Sequence, residues 1–579
     1  MKLQLPRITE QRLIALTEGI IGGTAIVALV VFVFDYGYYL TPENKAKVEV
    51  GYALIGGTFL IGLLAQLIIR RDRWDYLWQN KFKYLLTLLL LIEMIALQID
   101  RWYGQGDLET IHHVLFKLYI VLNVGRKFLR FSQYITQYNT SPARFIIGSF
   151  GSLILIGTGL LLLPKATREP FYLIDALFTA TSAVCVTGLI VVDTAKAFTT
   201  TGQLIILGLI QLGGLGIMTV TTFFTLIVGQ RMSGREQVLM GNVLSTEQPA
   251  QLGPIIRAVF FTTIGIESCG FLLLYLSWRD VLDPGLAWYT ALFHAISAFC
   301  NAGFSTFSDS LIRFEASVRI NVIVCSLIIL GGLGFGTLRN LITSFFSPGS
   351  IRQKIARLSV QSKIALVMSG FLLVLGTLLF LLLETSSSLN SFSWGNRLLA
   401  SFFQSVTSRT AGFNTVDFSQ LRASTLMLAM ILMFIGVAPG STGGGIKVTT
   451  LAILLGTVIS LARGKLRLEL FRRTIPVKVL YQTLVVITVH LSILVLISFL
   501  LSITENHERP INLMFETVSA LGTVGLSTGV TPHLSVMGKF LIILTMFSGR
   551  IGPFTLALAV RRRQLIESYQ YPEEEVQIG

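Results

Sequence analysis

The chain has 579 residues, 53% hydrophobic and 13% charged, with a mean hydropathy of +0.70 and a formal net charge of +15. A soluble globular chain carries about a quarter charged residues, so the composition excludes a soluble enzyme or binding module and indicates a polytopic membrane protein. The basic excess lies in short links beside apolar runs, which reads as membrane topology and not as a nucleic-acid surface.

Apolar runs at 14–34, 50–69, 145–163, 364–383 and 479–501 are each near or above the ~20 residues that cross a bilayer as a helix. The first holds Glu18 and lacks a small-residue cleavage site, so it reads as a retained span. Residues 1–140 form an N-terminal block with helices expected at 13–40, 50–70, 84–99 and 111–124. Arg70, Arg71, Arg73, Lys81 and Lys83 mark one cytoplasmic turn, and Arg126, Lys127 and Arg130 precede the next region. No helix carries arginines at every third position, so the block reads as a packing or assembly element rather than a voltage sensor.

From 141 onward the chain repeats. A glycine follows a phenylalanine by ten positions four times: Phe178 and Gly188, Phe293 and Gly303, Phe402 and Gly412, Phe515 and Gly525. The surrounding stretches read SAVCVTGL, SAFCNAGF, VTSRTAGF and SALGTVGL. The glycines lie between 109 and 115 residues apart (188 to 303, 303 to 412, 412 to 525). Each unit reads as an apolar helix (about 145–163, 255–277, 364–383, 479–501), a short polar segment with the glycine, and a second apolar helix (about 203–228, 318–345, 422–460, 534–560). The segments are too short and polar to span. Non-helical backbone survives at membrane depth only inside protein or beside a water-filled cavity, so four such loops should line one pore.

The expected architecture is therefore all-α and polytopic, with four fused helix, pore-loop, helix units around one pore and an additional N-terminal helical block. Expected boundaries are 1–140 for the block, then 141–245, 246–350, 351–470 and 471–563 for the units, and 564–579 for a cytoplasmic tail. Arg231 and Arg235, then Arg352, Lys354 and Arg357, then Arg463, Lys465, Arg467, Arg472 and Arg473, and finally Arg561, Arg562 and Arg563 follow the units. These joints should be cytoplasmic and the loops should open outward.

The second helices carry GGLGIMT at 213–219, GGLGFGT at 331–337 and GRIGPFT at 549–555, while the third unit has APGSTGGG at 438–445. Pro439 removes a donor and the glycines loosen the helix, so this stretch reads as a break. Arg550 replaces Gly214 and Gly332 of the aligned motifs; a charge costing at least ~2.5 kcal/mol at mid-membrane should face the pore or pair with Glu267 or Glu516. Cys185, Cys269, Cys300 and Cys325 lack metal-ligand spacing. No convergent catalytic set favours an enzyme. The glycine clusters follow no strand, so the chain has no dinucleotide fingerprint of its own.

These motifs, in this order over about residues 142–563, resemble the Trk/Ktr/HKT superfamily of potassium transporters, most closely its bacterial Ktr branch. The resemblance implies a homodimer with one pore per chain and a selectivity filter of backbone carbonyls. The filter residues would be Val184, Cys185, Val186, Thr187 and Gly188; Phe299, Cys300, Asn301, Ala302 and Gly303; Ser408, Arg409, Thr410, Ala411 and Gly412; and Leu521, Gly522, Thr523, Val524 and Gly525. Rings of carbonyls replace the hydration shell of a cation. Members with serine at the first glycine typically pass sodium, so Gly188 favours potassium. Arg409 takes the slot of Cys185, Cys300 and Gly522 and should point behind the filter.

The resemblance also makes Gly440, Ser441, Thr442, Gly443, Gly444 and Gly445 an intramembrane gate and sets Arg550 in the pore beneath the filter. Lys447 either contacts the loop's carbonyls or marks the cytoplasmic edge. Implied partners are a cytoplasmic nucleotide-binding regulator ring, docking on loops such as 463–473 and on the tail, and the lipid of the cell membrane. Sodium stimulation is typical of Ktr relatives. The alternative is a sodium-permeable or coupled secondary transporter; inverted repeats and paired broken helices would mark the coupled form, whereas these units share one direction and only the third has a plainly broken second helix. His294, Asn301 and His490 read as structural polar residues. Asp193 and Asp309, just after two filters, either draw cations to the mouth or are solvated loop carboxylates.

Overall fold

The computed structural model of the chain describes residues 7–70, 142–216, 252–465 and 467–552, with a few positions beside these stretches. Helices α1 (Arg7–Gly37) and α2 (Pro42–Ile69) form an N-terminal hairpin. α2 starts earlier than hydropathy predicts because its polar first turns are capped: the Thr41 hydroxyl accepts from Asn44 N, and Pro42 occupies the first turn, where a missing N–H costs no bond. The hairpin docks on the first unit through Lys165, whose backbone N donates to Gly37 O at 2.9 Å and whose Nζ donates to Asp35 O at 2.9 Å. The helices expected at 84–99 and 111–124, and the basic clusters at 71–83, 126–130, 231–235 and 561–563, lie outside the described residues.

The first unit contains α3 (Pro142–Leu161), pore helix α4 (Leu173–Val184), the short α5 (Thr194–Ala197) and α6 (Thr200–Leu215). The second contains α7 (Leu252–Trp278), pore helix α8 (Pro284–Phe299), α9 (Val318–Gly332) and α10 (Phe335–Phe345), followed by α11 (Ile351–Arg357). In the third are α12 (Val360–Glu384), pore helix α13 (Trp394–Thr407), α14 (Ala423–Phe434) and α15 (Val448–Ala462). A hairpin of β1 (Glu469–Leu470) and β2 (Arg473–Thr474) then leads to α16 (Val477–Thr504), pore helix α17 (Pro510–Gly522) and α18 (Val536–Ile551) of the fourth unit. This hairpin, inside the basic joint 463–473, has no counterpart in the hydropathy pattern.

Six described helices are long and apolar enough to cross a membrane: most of α1, then α2, α3, α7, α12 and α16. The protein is a multi-pass membrane protein. Its core lies between the pore helices, where Phe178, Phe293, Phe403 and Phe515 are fully buried. Apolar side chains on the first helices, such as Val495 and Phe499 on α16, stay exposed, as lipid-facing positions do.

Three expectations change. The second helix of unit two is not continuous over 318–345: α9 and α10 meet at a 102° bend at Leu333 and Gly334. Gly334 has φ +82°, and the aligned Gly216 and Gly552 have +80° and +85°. A left-handed glycine therefore ends the helix at one level in units one, two and four, and the third unit stops at Phe434 instead. Breaks in every unit follow the fourfold repeat; they are not the paired breaks of an inverted repeat. The third change is in unit three, where Phe403, not Phe402, takes the buried place of Phe178, Phe293 and Phe515.

Candidate functional site

Each pore helix delivers its C-terminal end, the negative end of its dipole, to a loop with one repeated backbone pattern. Two residues before the glycine, Val186, Asn301, Thr410 and Thr523 have φ +56°, +59°, +70° and +50°, and Gly188, Gly303, Gly412 and Gly525 have +90°, +69°, +78° and +94°. Left-handed backbone costs a non-glycine residue roughly 1–2 kcal/mol, so four such residues in register mark a conformation held by its surroundings. Alternating signs of φ turn successive carbonyls toward one side of the loop, unlike a strand, whose carbonyls alternate.

The four loops close on one another in sequence order. A Cβ on Gly188 would strike the Ala302 carbonyl oxygen; on Gly303, Ala411 O at 2.8 Å; on Gly412, Val524 O; and on Gly525, Thr187 O. The last contact returns to the first unit, so the glycines form a closed ring with no room for a side chain. The proposed filter residues at 184–188, 299–303, 408–412 and 521–525 are all buried except Gly303 and Gly525, which are partly exposed.

Backbone bonds show that the third loop is one residue shorter. Thr187 N, Ala302 N and Val524 N each donate 2.8 Å to the carbonyl five residues back, on Ser182, Ser297 and Ser519, whereas Ala411 N reaches only four residues back, to Thr407 O at 3.0 Å. Arg409 directly precedes the left-handed Thr410, as Cys185, Cys300 and Gly522 precede Val186, Asn301 and Thr523, so it keeps their slot. The Arg409 guanidinium turns to α12, donating to Ser369 Oγ at 3.0 Å and Ser369 O at 3.3 Å.

Side chains of the pore helices brace the loops. Ser182 Oγ accepts from Gly188 N at 3.0 Å and Ser519 Oγ from Gly525 N at 3.1 Å; Ser297 Oγ donates to Phe304 O and Thr407 Oγ1 to Phe413 O. A second tier holds the outer ends: His294 bonds Ser305 Oγ at 2.9 Å, Gln404 Nε2 donates to Thr415 Oγ1 at 3.0 Å, and the Glu516 carboxylate accepts from Ser527, Thr528 and Thr531. The serines and Gln404 were missed as functional positions, although a serine opens three of the four repeat stretches. Glu267 sits behind the second loop, accepting from Gln211 Nε2 at 3.1 Å with Cys300 Sγ beside it at 3.9 Å. His490 is a helix-face residue bonded to Val486 O.

Above the ring lies a vestibule of ≈ 220 Å³ lined by all four glycines together with Asp193 and Asp309. Neither aspartate is a bare carboxylate. Asp193 caps α5 through Ala195 N, and Asp309 pairs with Arg313 at 2.7 Å. Partial burial pushes Asp309 up, but the Arg313 guanidinium and nearby amides outweigh it and hold the carboxyl below its usual range.

Beneath the ring the chain leaves α14, crosses 435–447 and resumes as α15, its two ends joined by a parallel bridge between Ile435 and Ile446. This crossing touches every unit. Phe335 N donates to Gly440 O at 3.0 Å and Thr442 Oγ1 to Phe299 O at 3.3 Å in unit two; Gly443 packs on Thr410 in unit three; Gly444 N donates to Thr523 Oγ1 at 2.9 Å in unit four. Arg550 supplies the link to unit one, donating to Thr442 O with Nη1 and to Gly213 O with Nη2. Its partners are carbonyls, and Glu267 and Glu516 bond elsewhere. Lys447 Nζ donates to Gly443 O at 2.6 Å, so it contacts the loop's own carbonyls.

Residues 112–571 match the TrkH family, described as a cation transport protein; the matched span begins before the expected unit boundary at 141. The chain is 39% identical to the Ktr system potassium uptake protein B of Bacillus subtilis over 447 residues, 76% of this chain and 97% of that protein. It is also 39% identical to the protein of the same name from Vibrio alginolyticus, covering 75% and 94%, and 37% identical to the potassium/sodium uptake protein NtpJ of Enterococcus hirae, covering 76% and 97%. The potassium transporter TrkH of Vibrio parahaemolyticus shares the fold, with a TM-score of 0.61 at 19% identity over 83% of this chain and 98% of that one. A ring of four repeated loops, on a chain matched along most of its length, places this protein in the TrkH family of cation transport proteins.

Proposed function

We propose that this chain is the pore-forming subunit of a potassium uptake system, passing the ion down its gradient through the glycine ring and admitting or stopping it at 438–445. The observation that carries this is the closed ring of Gly188, Gly303, Gly412 and Gly525, each with a left-handed residue two positions before it. Such backbone offers carbonyl oxygen without fixed charge, which suits a weakly hydrated monovalent cation. The names of the Bacillus and Vibrio relatives support potassium. A homodimer, sodium stimulation and a cytoplasmic nucleotide-binding ring docked on 463–473 complete the reading. Units that share one direction favour it over alternating access, which uses inverted repeats.

The test is Gly188→Ser. The new Cβ presses on Ala302 O and lies 3.1 Å from the Gly303 Cα, so it must reshape the ring. In cells lacking other potassium systems, sodium flux relative to rubidium is expected to rise several-fold. Reversal potentials unchanged from the wild type, at equal surface expression, overturn the filter assignment.

A further inference from the structure

We infer that the elbow of α10 and α11 docks on the anionic headgroups of the leaflet on the far side of the filter, and couples that leaflet to the loop at 438–445. α9 descends from the vestibule side, and α10 leaves it at 102°, so α10 turns from the membrane normal toward its plane. Phe345 and Phe346, where α10 ends, and Ile351, which opens α11, are exposed. Arg352, Lys354 and Arg357 share this surface, and the sequence from 335 to 365 contains no Asp or Glu. Apolar and basic side chains together are the signature of a helix seated in a membrane interface, and the charge matches an anionic headgroup, not a basic or neutral one.

The elbow is built to hold its shape. Lys354 Nζ donates to Phe345 O at 2.7 Å and lies over the Phe345 ring, Arg357 donates to Pro348 O at 3.0 Å, and Ser344 Oγ donates to Lys354 O at 2.6 Å. Its other end is bonded to the crossing loop: Phe335 N donates to Gly440 O at 3.0 Å, and Ala438 N to Gly332 O at 3.0 Å. Headgroups that pull on α11 therefore act on the loop through one rigid helix. The effect on transport rests on the gating reading; the lipid contact does not.

Two measurements on the full-length chain in vesicles test this. Phe346→Trp adds emission that brominated phospholipids should quench; an unquenched tryptophan, as when a second copy or an acidic protein covers the elbow, overturns the lipid contact. Rubidium flux is then compared in phosphatidylcholine vesicles with and without phosphatidylglycerol. One basic residue at an anionic surface contributes ~1 kcal/mol, about fivefold, and the wild-type flux should differ between vesicles by at least that factor. In the triple variant Arg352→Gln, Lys354→Gln, Arg357→Gln the ratio should fall to near one. An unaltered ratio in that variant overturns the coupling. Absence of rubidium flux in every vesicle instead counts against the potassium reading, while the quenching result stands by itself.

Discussion

Arg550 shows how far residue identity carries an argument. Its intrusion into the motif of Gly214 and Gly332 marked it as special, and the cost of an intramembrane charge made it a pore or pairing residue. Its partners were not legible, because Thr442 O and Gly213 O are backbone atoms that no sequence pattern advertises. Carbonyl partners carry no compensating charge, so on the proposed pore reading the guanidinium opposes cation passage below the ring. At ~8 Å and an effective dielectric of ~20, a unit charge raises a cation's energy by about 2 kcal/mol, up to roughly thirtyfold in rate. Arg550→Ala should therefore raise rubidium flux by an order of magnitude or more, while Arg550→Lys stays near wild type. Flux that is unchanged in the alanine variant sinks the electrostatic role, and loss of assembled protein would make Arg550 a structural tie between the crossing loop and unit one.

At the scale of elements, the helix, loop, helix order and the pore-loop positions were legible because apolar length and a repeated glycine report them directly. The helix breaks were less so. APGSTGGG announces itself through proline and glycine, yet Gly334 ends α9 with a single residue, and single glycines are common in membrane helices. The deletion in the third loop was hidden because counting back from Gly412 happens to land on Phe402, beside the buried Phe403. Thr442 and Gly444 of the crossing loop each bond a neighbouring unit, contacts that the proposed gate would have to release in order to open. Removing Gly443–Gly445 takes away the contacts to Thr410 and Thr523. Basal rubidium flux should rise several-fold at normal expression; flux equal to the wild type would show that the crossing is a kink and not a gate.

For the whole molecule, one chain must close a fourfold ring with only three covalent joints between units. The fourth seam, from unit four back to unit one, has no link, and there Lys539 Nζ meets Asp175 Oδ1 at 2.7 Å, both side chains largely buried. Among the described residues no other ion pair joins two units. At the equivalent seam between units one and two, Tyr289 donates to Gln203 Oε1, a neutral bond where the chain is continuous. The charged pair thus sits where connectivity gives no help, and the Gly525 to Gly188 contact that closes the glycine ring lies in the same seam. Breaking a buried pair strands one charge and costs on the order of 3 kcal/mol, whereas replacing both partners can be nearly neutral. Asp175→Asn should lower the thermal midpoint in detergent and raise sodium flux relative to rubidium as the ring loosens. Combining Asp175→Asn with Lys539→Met should restore much of the stability, and purely additive losses would show that the pair does not hold the seam.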